Sequence, residues 1–270
     1  MTQTSSSERS PEAGRALFEA HEVTKTFGHG KHEVQAVRSV SFDVEEGTIT
    51  TIVGESGSGK STLARMILGL LPITSGTLSF DGKDVTNLKG GPRKAYWRDV
   101  QAVFQDPFSS FNQFFTVRRL LERSLRLLGN TSDGRQRMEE ALGHVGFNAA
   151  DVLDRYPHQI SGGQRQRIMI ARALMMQPKV LVADEATSML DASLRVNVLN
   201  VLKDLRDELG VTIIFITHDI GQACYLADRV LVMEHGNLVE QGPADDVIFN
   251  PQHEYTQRLL ADVPRLHDLR

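Results

Sequence analysis

The chain has 270 residues, 40% of them hydrophobic and 24% charged, enough for one large globular domain or two small ones. Its formal net charge of −4 offers no basic face for nucleic acid, and no run of about 18 apolar residues is present to cross a membrane. The single cysteine, Cys224, excludes an internal disulfide, a cysteine-ligated zinc site and an iron–sulfur cluster, and it fits a reducing, cytosolic location.

Residues 1–15 are rich in Ser, Thr and Glu and lack an apolar core, so they are expected to be a disordered lead-in and not a secretory signal. Strand-like runs follow at Ala16–Phe27, Val40–Val44, Thr48–Val53 and Gly76–Phe80, separated by turn signals such as Glu46-Gly47 and Asp81-Gly82. After about residue 105 the pattern turns helical. Leu120, Leu121, Leu125 and Leu128 form one apolar stripe ended by Gly129-Asn130. Further helices are expected over Arg135–Val145 and Gly163–Met176, the latter stopping before Pro178. Val180–Ala183 is short and wholly apolar, as a buried parallel strand should be. Helix Ser193–Leu209 ends at Gly210, strand Val211–Ile216 comes next, and Arg229–Gln241 reads as a hairpin turning at His235-Gly236. There is no internal repeat. Together these runs imply an α/β core built on parallel βαβ connections, over 16–250, with a helical insert at roughly 106–165 and a short tail over 251–270.

The most informative stretch is Gly54-Glu55-Ser56-Gly57-Ser58-Gly59-Lys60-Ser61, a full match to the phosphate-cradling pattern G-x-x-x-x-G-K-[ST]. The β-branched run Thr48–Val53 precedes it. Leu63, Met66, Ile67 and Leu70, at i, i+3, i+4 and i+7, follow it. The loop thus lies between a strand and a helix N-terminus, where a coincidental Gly/Ser turn has no reason to be. The glycines allow tight bending and close approach to a ligand. The free N–H groups at the helix start point at a phosphate. Lys60 adds a full positive charge, and Ser61 a hydroxyl for Mg²⁺.

Two further clusters carry chemistry. The run Val180–Ala183 ends in Asp184-Glu185, at the carboxyl end of a strand where α/β sheets bind ligands. Asp184 can hold Mg²⁺ and Glu185 can orient or deprotonate the water that attacks a γ-phosphate; the alternative is a pair of solvated acids at a strand end. Ser161-Gly162-Gly163-Gln164 opens a helix with the spacing of a capping box. The same open N-terminus is a second anion site, which makes sense if it closes over a nucleotide held by another subunit.

In chain order, the phosphate loop, Gln105 in Val-Phe-Gln-Asp-Pro, Ser161-Gly-Gly-Gln, Asp184-Glu185, Ser188-Met-Leu-Asp191 and His218 resemble the nucleotide-binding subunit of an ABC transporter over about residues 16–260. The resemblance implies a P-loop NTPase fold: a RecA-like core, an antiparallel β subdomain and a helical insert. Val53–Arg65, Tyr156–Arg167 and the tail Asn250-Pro-Gln-His-Glu-Tyr-Thr-Gln-Arg-Leu-Leu are more narrowly similar to the dipeptide/oligopeptide importer ATPases. That subfamily includes nickel and some oligosaccharide importers, and has a relative in the phosphonate carbon–phosphorus lyase assembly.

The resemblance implies roles for individual residues. Gly54 through Thr62 would bind the phosphates of ATP, with Ser61, Gln105 and Asp184 around Mg²⁺. Glu185, His218 and Gln105 would serve hydrolysis. Phe27 would stack on adenine, or is a core aromatic. Ser161, Gly162, Gly163, Gln164 and Asp191 would meet the nucleotide of an opposite ATPase subunit, identical or homologous. The resemblance implies that the chain sits peripherally at the cytoplasmic face of the cell membrane, with integral-membrane permease subunits as partners and, indirectly, an extracytoplasmic solute-binding protein; nucleic acid is not among them. Rival readings are a soluble ATPase of the lyase assembly and a nucleic-acid ABC ATPase. The second is opposed by the single cassette, the absence of a zinc-binding cysteine set and the net charge.

Departures from the family pattern are Ile160 for Leu, Ala186 for Pro, Met189 for Ala, Gln113 where Pro is usual after Asn112, and a tail without cysteines. None removes a catalytic group. The aromatic run Asp106–Phe115 reads either as core of the insert or as the rim of a groove for a permease helix. His29 and His32 read as a solvated loop.

Overall fold

The computed structural model describes residues 15–28, 30–106, 111–126 and 133–261. The expected lead-in up to 14, His29, part of the aromatic run, Leu128, Gly129-Asn130 and the end of the tail lie outside the described residues.

Two sheets organise the chain. β1 (Ala16–Phe27), β2 (Val34–Glu45), β4 (Ser75–Phe80) and β5 (Lys83–Asp84) form an antiparallel sheet in the order β2-β1-β4-β5. The second sheet has the order β10-β9-β3-β8-β7-β6, from β3 (Ile49–Val53), β6 (Val100–Phe104), β7 (Val180–Asp184), β8 (Thr212–Thr217), β9 (Arg229–Glu234) and β10 (Asn237–Pro243). Its strands are parallel except β10, which returns from β9 as a hairpin. Every residue of β3, β7 and β8 is buried, which explains why, Asp184 at the end of β7 apart, their sequences are apolar or β-branched throughout.

The helices are α1 (Lys60–Ile67), α2 (Gly90–Asp99), α3 (Val117–Leu125), α4 (Gly134–His144), α5 (Ala149–Val152), α6 (Gly162–Leu174), α7 (Ala192–Leu209), α8 (Ile220–Leu226), α9 (Ala244–Phe249) and α10 (Glu254–Ala261). α1 buries Leu63, Met66 and Ile67 against Ile52 and the antiparallel sheet. Each contributes roughly 1.5–3 kcal/mol of burial, which fixes the helix behind the phosphate loop. The buried face of α3 is Val117, Leu121 and Leu125, with Leu120 at its margin. That face packs with α4 and α6 into the same apolar cluster as β7 and α7, so the helical region shares a core with the parallel sheet.

The hairpin turns as expected, with His235 and Gly236 both at positive φ. Several elements were not predicted. α2 begins Gly90-Gly91-Pro92, which reads as a loop, yet Pro is tolerated in a first helical turn. β6 is an edge strand whose sequence Val-Gln-Ala-Val-Phe lacks clean alternation.

Candidate functional site

The topology assembles the site. β6, β7, β8 and β3 lie side by side and in register: Phe104 opposite Asp184, Asp184 opposite Ile216, Val53 opposite Thr217. The residues that immediately follow these strands are Gln105, Glu185, His218 and Gly54. Four chain segments far apart in sequence therefore deliver their side chains or loops to one carboxyl edge. There they line an open cleft of about 590 Å³, whose walls include Ala36, Glu55, Ser56, Gly57, Gly59, Lys60, Ser61, Thr62, Gln105, Glu185 and His218.

The phosphate loop is tightly braced. Gly54 has φ +156°, and a Cβ there would lie 2.1 Å from the Met233 carbonyl oxygen; at Gly59, with φ +103°, one would lie 2.3 Å from that of Ala36. No other residue fits between the loop and these strands. Lys60 Nζ donates to the carbonyls of Gly54 and Glu55, at 2.7 and 2.8 Å. The Gly236 N–H, at the hairpin tip, donates to the Ser58 carbonyl at 2.9 Å. Burial pushes the Lys60 ammonium below lysine's ordinary pKa, against the pull of Glu185, Asp184 and Glu55. The lysine is thus a desolvated cation held by carbonyls alone, and phosphate oxygens are stronger partners for it.

Ser61 Oγ donates to Asp184 Oδ1 at 3.0 Å. Burial pushes the Asp184 carboxyl above the usual carboxylate range; the Ser61 bond opposes this, Glu185 adds to it, and Arg65 and Lys60 oppose it. A buried carboxylate beside a hydroxyl, at the foot of a phosphate site, is an oxygen donor set that suits a hard cation such as Mg²⁺. Glu185 sits at φ 53°, in the left-handed region that a residue with a side chain adopts at a cost. It is paired with His218, whose Nδ1 lies 2.8 and 3.0 Å from its carboxylate oxygens. The imidazole is largely exposed, while the carboxylate is mostly buried.

A network with no local sequence pattern sets the loop after Glu185 against the start of α8, which follows His218. Thr187 Oγ1 donates to Gln222 Oε1 at 2.6 Å, and Gln222 Nε2 to Asp219 at 3.0 Å. Arg195 of α7 reaches the same aspartate at 3.2 Å.

The remaining candidates lie elsewhere. Ser161 caps α6 in a complete capping box: Ser161 Oγ accepts from the Gln164 N–H at 3.2 Å, and Gln164 Oε1 from the Ser161 N–H at 2.9 Å. Gly162 is half-buried, and Gly163 rests on Leu194, where a Cβ would come within 3.1–3.3 Å. Asp191 caps α7 through the Leu194 N–H at 2.9 Å. These hydrogen bonds hold its carboxyl below the usual range. None of these residues lines the cleft of the chain's own phosphate loop. Phe27 is 41% exposed at the end of β1, beneath the Lys25 ammonium, and does not line it either.

The arrangement is that of an ATP-binding cassette, and comparison with known proteins establishes the family. The family model described as ABC transporter matches residues 37–188, and the chain belongs to that family. The oligopeptide transport ATP-binding protein OppF of Streptococcus mutans serotype c is 43% identical over 93% of this chain and 82% of its own length. The di/tripeptide transport ATP-binding protein DppF of Pseudomonas aeruginosa is 42% identical over 94% and 79%. Among solved structures, the dimeric post-hydrolysis state of the cassette MJ0796 bound to ADP and Pi superposes with a TM-score of 0.73 at 29% identity, covering 84% of this chain and 99% of that one. The chain is therefore a transporter ATPase with the cassette fold that its sequence motifs implied.

Proposed function

We propose that this chain is the ATP-hydrolysing subunit of an importer for di- or oligopeptides, working as one of two cassettes on a pair of permease subunits at the cytoplasmic face of the membrane. The observation that carries the reading is the joint placement of Lys60, Ser61, Glu185 and His218 around one cleft, with Asp184 behind them bonded to Ser61. The peptide cargo rests on likeness to OppF and DppF over nearly the whole chain. Among the described residues no helix is long and apolar enough to cross a membrane, so the pathway itself would belong to partner chains.

In this reading the loop N–H groups and Lys60 bind the β- and γ-phosphates of ATP. Ser61, Asp184 and Gln105 would hold Mg²⁺, which supplies neutralisation of phosphate charge when bound. Glu185 accepts a hydrogen bond or proton from the attacking water, and His218 fixes the Glu185 carboxylate. Ser161, Gly162, Gly163, Gln164 and Asp191, away from the chain's own cleft, serve the nucleotide held by the second cassette. ATP then acts as the contact between two subunits, and loss of the γ-phosphate reopens them.

A groove of about 540 Å³ along β6, the strand that leads into Gln105, is the place for a permease helix. It is lined by Leu70, Trp97, Phe104 and Met176, with Arg98 and Arg172 among its cations. Leu70 and Phe104 remain 49% and 41% exposed there, apolar surface that a partner would cover.

The test is extraction from native membranes in mild detergent, followed by identification of the proteins that remain bound. Two permease chains, with or without a second ATPase, support the importer. A soluble enzyme complex without membrane proteins supports the lyase-type alternative instead.

A further inference from the structure

We propose that Tyr255 is a positioning residue for the phosphate loop, and that the segment from Asn250 to Ala261 is a strap that holds the loop ready for nucleotide. The proposal rests on the reading of 54–61 as the ATP site. The backbone N–H of Glu55, the second residue of the loop, donates to the Tyr255 hydroxyl at 2.8 Å across 200 residues of chain. Tyr255 is 3% exposed and packs in the apolar cluster that contains Val53, the last residue of β3 before the loop. Burial pushes its phenol above tyrosine's ordinary pKa, so the hydroxyl is neutral at any working pH.

The strap is tied down independently of the loop. The Glu240 carboxylate accepts the Gln252 N–H at 2.7 Å and the His253 N–H at 3.1 Å. His253 Nδ1 accepts the Tyr255 N–H at 3.2 Å, and Arg258 pairs with Glu234 at 3.4 Å. Glu234 and Glu240 belong to β9 and β10, the same hairpin whose tip grips the Ser58 carbonyl. One rigid hairpin therefore anchors both ends of the support.

The position of this contact gives it a role. Lys60 also holds residues 54 and 55, through their carbonyls. The ammonium has three donors, two of them spent on these carbonyls, so phosphate draws on the same cation that holds the loop. The Tyr255 contact uses neither Lys60 nor a carbonyl and does not depend on how the lysine divides its donors. With it in place, the loop enters binding already ordered. Without it, the nucleotide must order the loop itself, and affinity falls while the chemical step is spared.

Tyr255→Phe keeps the buried ring and removes only the acceptor. KM for ATP is expected to rise about fivefold, the equivalent of about 1 kcal/mol for one hydrogen bond. The kcat should stay within about twofold, and the Glu55 amide should lose protection from hydrogen exchange in the nucleotide-free protein. Glu240→Ala, which frees the strap without touching the loop, should move KM in the same direction. An unchanged KM in both variants overturns the proposal, and so does a lower melting temperature with KM unchanged, which would mark Tyr255 as packing alone. Lys60→Ala separates the two readings. If it abolishes ATP binding while Tyr255→Phe has no effect, the strap is wrong and the site is right. If it binds ATP normally, the site reading itself fails.

Discussion

Asp184→Asn should stabilise the nucleotide-free protein and at the same time impair its use of Mg-ATP. Asp184 is 6% exposed, its ionised form is supported by a hydroxyl bond from Ser61 and by Arg65 and Lys60, yet burial and the adjoining carboxylate of Glu185 outweigh them. Asn has the same shape, keeps the oxygen that Ser61 bonds, and removes the charge that burial and Glu185 penalise. The gain should be about 1–2 kcal/mol, the usual return for relieving a functional site of an unfavourable group. For a chain of this size that is a rise in Tm of about 2–8 °C. The pH dependence follows from the direction of the shift. Asp184 titrates higher in the folded state than in the unfolded one, so the wild type loses stability as pH rises through the folded value. The advantage of Asn should be greater at neutral than at acidic pH, where the wild-type carboxyl is protonated in both states. Circular-dichroism melting at pH 7 and at mildly acidic pH, with and without Mg-ATP, measures all three effects. Mg-ATP should raise the Tm of the wild type but much less that of the variant. A variant that melts below the wild type at pH 7 without nucleotide would refute the reasoning, because it would mean that the ionised Asp184 stabilises the empty fold.

Gly59→Ala should lose ATP binding and fold poorly. Its Cβ would sit 2.3 Å from the Ala36 carbonyl at φ +103°, so loop and β2 must separate; nucleotide titration and melting both report it. Thr187→Val should cost about 1–3 kcal/mol in chemical denaturation, since it leaves the buried Gln222 amide oxygen without its 2.6 Å partner. It should also lower kcat more than it changes KM for ATP, because it loosens the loop of Glu185 against the start of α8, which follows His218.

The parts of the site legible in the sequence are those whose chemistry is written in contiguous residues. Gly54–Ser61 needs its glycines where two strand carbonyls pass within 2.1–2.3 Å of a would-be Cβ, and Asp184-Glu185 ends an apolar run that is buried throughout. The hairpin turn at His235-Gly236 was equally plain from its dipeptide, although nothing in the dipeptide says that its N–H would clasp Ser58. The illegible parts depend on contacts between distant segments. Tyr255 in a tail motif looks like any buried tyrosine until the fold carries it to Glu55, and Thr187 with Gln222 shows no local pattern. α2 was hidden by glycines and a proline that its first turn tolerates, and β6 by a mixed sequence suited to a sheet edge. For Phe27, the position at a strand end is visible in the sequence, but its exposure and its place beneath the Lys25 ammonium follow only from the fold.

Light scattering on Glu185→Gln, with and without Mg-ATP, together with its steady-state turnover, tests most directly whether this site hydrolyses ATP between two cassettes. The variant should bind ATP, double its mass with nucleotide, and turn over at least about 100-fold more slowly than the wild type. Undiminished turnover would remove Glu185 from the chemistry, and a mass that stays monomeric with ATP bound would contradict closure of two copies of this chain over the nucleotide and require a homologous second ATPase instead.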